Sequence, residues 1–170
     1  MIVRPYDGRK PRFGDRVFIA ENASLIGDVE LGNDCSIWFG TVLRGDVNFI
    51  RVGSRSNIQD NCVVHVDSGQ FPTVIAEEVT IGHAAIVHGC TVHRGALIGM
   101  GSRILDGAVI GEQALVGAGA LVPEGMKVPP RMLAVGVPAR VKRPLTDEEL
   151  ARLDLSWKHY VEYKERYLSD

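Results

Sequence analysis

The sequence predicts an all-β solenoid, a left-handed parallel β-helix of hexapeptide repeats, followed by one C-terminal α-helix. Three observations carry that expectation. Aliphatic residues recur every six positions over most of the chain, a small residue follows most of them by four, and the 19 glycines are spread along the chain rather than pooled in a linker. A period of six fits neither the 3.6 of an α-helix nor the simple alternation of an ordinary strand. It fits a triangular prism in which each hexapeptide makes one flat side and one corner. Three hexapeptides close a coil, and coils stack at about 4.8 Å.

The elements follow in order. Ile19, Leu25, Leu31, Ile37 and Leu43 step by six, with Ala23, Val29, Cys35, Thr41 and Val47 as the inward followers. The next step, Leu43 to Val52, is nine, which inserts three residues near Asp46-Val47-Asn48. Val52, Ile58 and Val64 continue, with Ser56 and Cys62 as followers. The step from Val64 to Ile75 is eleven, and the surplus from Asp67 to Thr73 is a turn-rich loop expected to leave the prism. Ile75 and Ile81 follow, then a short step of five to Ile86. From there the period resumes at Val92, Ile98, Ile104, Ile110, Val116 and Val122, with Ala96, Ser102, Ala108, Ala114 and Ala120 as followers. The repeat is expected to end near Val122. Beyond a Pro/Gly-rich stretch, Thr146-Asp-Glu-Glu149 is a capping box. Leu150, Leu153, Trp157, Tyr160, Val161 and Leu168 then follow helical spacing. Residues 1–140 are accordingly assigned to the β-helix, and residues 141–170 to a linker and a helix packed on the prism.

A net charge of −2 and a pI of about 6.2 argue against nucleic acid or an anionic membrane as the main partner. No apolar run approaches the ~20 residues of a membrane span, and the N-terminus MIVRPYDGRK lacks the apolar segment of a secretory signal. A cytoplasmic location is expected. Cys35, Cys62 and Cys90 form no CxxC, and each falls four after an aliphatic, so they are expected to be inward packing residues.

None of His65, His83 and His88 falls on an inward position. His65 and His88 are 23 residues apart, about one coil once the extruded loop is subtracted, so they can stack on neighbouring rungs. His83 and His88 lie on opposite sides of a corner and cannot converge on one ion within a chain. Around a three-fold axis, His83 of one subunit could meet His65 and His88 of the next, and three neutral imidazoles with an open position form a catalytic zinc arrangement. His93 is expected to be exposed on the next rung and His159 to lie on the helix surface.

The segments Arg44-Gly-Asp46, Asn57-Ile-Gln59-Asp60-Asn61, Val64-His65-Val66, Ile81-Gly-His83 and His88-Gly-Cys90-Thr91 resemble the gamma-class carbonic anhydrases. Leu97-Ile-Gly-Met-Gly101 and Gly136-Val-Pro-Ala-Arg140 resemble that family's short bacterial branch. The resemblance implies a homotrimer that hydrates CO2 to bicarbonate. It implies zinc on His65, His83 and His88, with His83 donated across the interface; iron or cobalt also suits imidazole. Arg44 and Asp46 match an interfacial pair, Gln59 a residue that hydrogen-bonds the metal-bound water or bicarbonate, and Tyr160 a tyrosine near the pocket. The sequence departs from the archaeal prototype in the proton path. Val47 stands where the prototype has a glutamate, and the short loop offers only Asp67. Asp60 remains as a proton carrier near the metal, and slow turnover is expected. Three alternatives stay open: a hexapeptide-repeat acyltransferase, a non-catalytic metal-binding accessory protein, and a thioesterase-like hydrolase.

Overall fold

The computed structural model describes residues 1–169. The chain winds as a parallel β-solenoid with three faces, and a single helix lies along one of them. The first face stacks Ile2–Arg4, the leading halves of Ser24–Leu31 and Val42–Val52, then Val63–His65, Ile86–His88, Arg103–Ile104 and Leu121–Val122. The second stacks Arg12–Phe13, the trailing halves of the same two long strands, Thr73–Ile75, Thr91–Val92, Val109–Ile110 and Lys127–Val128. The third runs from Phe18–Ile19 through Ser36–Ile37, Asn57–Ile58, Thr80–Ile81, Leu97–Ile98 and Leu115–Val116 to Met132–Gly136. Ala139–Pro144 pairs with that last strand antiparallel, so the sheet continues past residue 140 and its edge is covered.

The core is a set of aligned aliphatic columns. On the first face Leu25, Leu43, Val64, Val87, Ile104 and Val122 lie in register, each fully buried. The small followers fill the corners: Cys35, Ser56, Ala96 and Ala114 are all buried. The three thiols behave as expected. Burial pushes Cys35 up to about 11 and Cys62 and Cys90 to about 12, so they remain neutral filler.

Three sequence expectations are corrected. The inward residue of the fifth coil is Val87, not Ile86: Val87 is fully buried while Ile86 is exposed. The short step therefore falls between Val87 and Val92, and His88 directly follows an inward residue, as His65 follows Val64. Val47 is exposed rather than inward, and Ile50 fills its place, because the three-residue insertion bulges outward at the corner. The repeat also runs further than Val122. Val128 and Ala134 are buried at the next two steps of six, where lysine, methionine and proline neighbours had masked the period.

The helix spans Asp147–Ser169. Its capping box forms: the Glu149 N–H donates to Thr146 Oγ1 at 3.2 Å, and Glu149 Oε2 accepts the Thr146 N–H at 2.9 Å. Leu145, Leu150 and Leu153 bury themselves on the outward column Leu97, Leu115 and Leu133 of the third face. Each such leucine contributes roughly 1.5–3 kcal/mol. Further along, Tyr160 and Tyr167 meet the Trp38 ring edge-on, with centroids 5.4 and 5.2 Å apart. Among the described residues no helix is long and apolar enough to cross a membrane.

Candidate metal centre

His65 and His88 end adjacent strands of the first face and pair directly in register. The five-residue step after Val87 and the extruded loop after Val66 both fall just beyond them, so neither disturbs the stacking. His65 Nδ1 lies 3.1 Å from His88 Nε2. The other nitrogen of each ring faces a carboxylate: His65 Nε2 is 3.1 Å from Asp46 Oδ1, and His88 Nδ1 is hydrogen-bonded to Asp106 Oδ1. An ionised carboxylate only accepts, so each neutral ring donates through the nitrogen facing its Asp. The two nitrogens that face each other are then both bare acceptors. At 3.1 Å they repel unless a cation lies between them.

The insertion at residues 46–48 turns Asp46 toward His65. Partial burial pushes the Asp46 carboxyl up, but donation from Arg44, His65 and the Val47 N–H outweighs it and holds its pKa below the usual range. Arg44 pairs with Asp46 within the chain. Asp67 is occupied by its own loop. Its carboxylate accepts the N–H groups of Gly69 and Gln70 at 2.9 and 3.3 Å, which close its own loop and hold its pKa low.

His83 sits at the opposite edge of the first face, at the corner before Ile86–His88. Its Nδ1 is 2.7 Å from Asp60 Oδ2. Its side chain is 45% exposed, against 17% for His65. Gln59 is buried below it: Oε1 accepts the His83 N–H at 3.1 Å, and Nε2 donates to Asn57 Oδ1 at 3.3 Å. Tyr160 is half-buried at this corner. Burial, then the charge of Asp60, raises its pKa to about 12. Asp60 and Tyr160 share the lining of a depression of about 390 Å3 with Trp38, Phe39, Tyr163 and Tyr167. Thus the chain gathers two separate groups of side chains, His65/His88/Asp46/Arg44 and His83/Asp60/Gln59/Tyr160. Among the described residues no three His, Cys, Asp or Glu side chains converge to hold an ion within one chain. His93 and His159 are exposed and lie outside both groups.

Asp106 was not singled out in the sequence. The signal was present: it lies 18 residues after His88, one coil further on, and donates nothing to the core.

The donor chemistry fits a divalent metal. Two nitrogens bound to one tetrahedral zinc at about 2.0–2.1 Å stand about 3.3 Å apart, close to the observed 3.1 Å. A carboxylate behind each of the three imidazoles is the arrangement that orients metal-binding histidines.

Fold and site together define a hexapeptide-repeat β-helix with a histidine pair backed by carboxylates. The bacterial transferase hexapeptide family (six repeats) matches residues 10–45 and 89–124. The carbonic anhydrase of Geobacillus kaustophilus is 46% identical over 166 residues, covering 98% of this chain and 91% of that protein. Mitochondrial gamma carbonic anhydrase 2 of Arabidopsis thaliana is 46% identical over 167 residues, 95% of this chain; the chain spans 60% of that relative's length. The crystal structure of a hexapeptide transferase family protein from Anaplasma phagocytophilum superposes with a TM-score of 0.94 at 44% identity, covering 98% of each chain. The chain belongs to the gamma carbonic anhydrase family.

Proposed function

We propose that the protein is a gamma-type carbonic anhydrase, interconverting CO2 and bicarbonate at a metal ion shared between neighbouring subunits of a homotrimer. The observation that carries this reading is the pair of facing ring nitrogens, His65 Nδ1 and His88 Nε2, 3.1 Å apart on rings each backed by a carboxylate. His83, exposed at the far edge of the same face, is the third donor, supplied by the next chain.

The first face supports that assembly. Its outward column runs Val42, Val63, Ile86, Arg103 and Leu121 in register, and Val63 and Ile86 are exposed. An apolar sheet face with His83 on one edge and the His65/His88 pair on the other suits a three-fold contact.

His65, His83 and His88 would hold the ion, zinc by the family resemblance. An ion of that kind supplies acidification of water, from about 15.7 to about 7. The chain's own residues do the rest. Asp46, Asp60 and Asp106 fix the imidazoles, and Gln59 fixes the backbone that carries His83. Asp60 is the carboxylate placed to accept and pass on a proton. Asp67 is a weak base, bound as it is to its own loop, and Val47 offers no acid at the bulge, so proton removal depends on buffer and turnover is slow.

Elemental analysis and subunit mixing test the reading together. Purified protein is expected to carry about one ion per chain, and His83→Ala and His88→Ala each to lose both ion and CO2 hydration. Refolding the two variants together recreates intact interchain sites, so partial metal content and activity should return. Failure of the mixture to recover either would sink the shared site. Acyl transfer from an acyl thioester by metal-free protein would favour the transferase reading suggested by the repeat family's description.

A further inference from the structure

We propose that Asp106 is a positioning residue: it holds the His88 imidazole in one tautomer, proton on Nδ1 and bare Nε2 turned toward His65, before any ion arrives. The inference deepens the preceding reading of the site and rests on it for its consequence.

Two observations carry it. The first is that the Asp106 carboxylate is dedicated to His88. Among the described residues it has no other hydrogen-bond partner, whereas Asp46 is shared among His65, Arg44 and the Val47 N–H. A carboxylate held one rung away accepts only from Nδ1. It therefore selects the tautomer whose lone pair sits at Nε2, 3.1 Å from His65 Nδ1.

The second is the room made for it. Gly89, next to His88, has φ +53°, and a Cβ there would stand 2.1 Å from Asp106 Oδ1 and 3.0 Å from Phe71 Cβ. Any other residue at 89 would push the carboxylate off the imidazole. The Phe71 ring lies across the neighbouring corner, where a Cβ on Gly107 would meet it at 3.0 Å. Phe71 thereby stands against both glycines that flank the His88–Asp106 pair. Glycine, carboxylate and aromatic ring come from the His88 rung, the next rung and the extruded loop, and together they favour one orientation of His88.

The tautomer is measurable in metal-free protein. Long-range 1H–15N NMR of 15N-labelled chain, at a pH where imidazole is neutral, is expected to show His88 protonated on Nδ1. Asp106→Ala should shift it toward the Nε2-protonated form, while Asp106→Asn, whose carbonyl accepts the same proton, should keep it. Gly89→Ala should behave like Asp106→Ala with the carboxylate still present. Co2+ titration against a chromophoric chelator gives the consequence: affinity about 10–100-fold weaker in Asp106→Ala and near wild type in Asp106→Asn. Unfolding curves of the metal-free variants report whether each is folded. An unchanged tautomer in Asp106→Ala, or a wild-type ring already protonated on Nε2, overturns the proposal, as does unchanged Co2+ affinity in Asp106→Ala. A locked tautomer in protein that binds no Co2+ leaves the positioning in place and removes the metal reading instead.

Discussion

Gln59 shows how a single side chain links the core to the site. It is buried, its amide oxygen accepts the His83 N–H, and its amide nitrogen donates to Asn57, which in turn donates to Thr80 Oγ1 at 3.0 Å. The family resemblance gives Gln59 a role toward water or bicarbonate; the geometry shows it holding the backbone from which His83 projects. Gln59→Ala leaves a buried N–H and part of the Asn57 amide unpaired. The expected loss is about 1–3 kcal/mol in urea unfolding. Metal affinity should fall with it, since His83 would lose its fixed rung while keeping Asp60. Gln59→Glu retains an acceptor for the His83 N–H but sets a carboxylate against Asn57 Oδ1 and should be the more destabilising of the two at neutral pH.

The helix is fastened at both ends by charge, and each end makes a separate prediction. At its start, the Arg143 guanidinium and then the Thr146 N–H hold Glu149 down to about 2 from an ordinary value near 4.5. A carboxyl with a depressed folded pKa stabilises above its unfolded value and loses that contribution as pH falls toward the folded one. The stability difference between wild type and Glu149→Gln should therefore be constant above about pH 5 and vanish near pH 2, read as urea midpoints across that window. At its end, Lys164 is fully buried with Nζ 3.0 Å from Asp34 Oδ1 and a second bond to Glu165. Arg16 stands 3.6 Å from the same Asp34 and softens the loss of the lysine. Lys164→Ala should cost about 1–3 kcal/mol and Lys164→Met less, because methionine restores the packed stem. The helix was legible from its capping box and apolar spacing, but Lys164 was not, since a lysine on a helix is ordinarily solvent-facing. The period of six picked the inward residue even beside another aliphatic, as at Leu97-Ile98 and Leu115-Val116. It failed at Ile86-Val87, where one five-residue step could fall before or after the pair and only the strand register chose between them. Beyond Val122, sparse aliphatics hid two further steps. Asp106 escaped for a different reason: a residue one coil away in space is 18 positions away in sequence, and no local motif joins it to His88.

At the scale of the whole molecule the proposed shared centre poses one question, how two separated groups of side chains could serve a single ion. Within the chain, the first face separates His83 from the His65/His88 pair, and its exposed Val63 and Ile86 sit between them. A solenoid is rigid along its stacking direction because each rung is bonded to the next, so the two groups cannot fold toward each other. On the proposed reading the third donor comes from a second chain, and the outward column is the surface that would bring it into register. Ile86→Asp places a charge at the centre of that column without touching any histidine, its carboxylate partner or the core, since Val87 carries the inward packing. Monomer stability should change by less than about 0.5 kcal/mol, as for other exposed positions. The association should be lost: carrying a carboxylate into an interface costs several kcal/mol, and the neighbouring Arg103 of the column offsets only part of that. Light scattering is expected to give the mass of three chains for wild type and of one for Ile86→Asp, and elemental analysis should find the metal lost with the trimer although His65, His83 and His88 are all intact. Monomeric Ile86→Asp retaining a full complement of tightly held metal would mean that one chain suffices, and the shared centre would have to be abandoned.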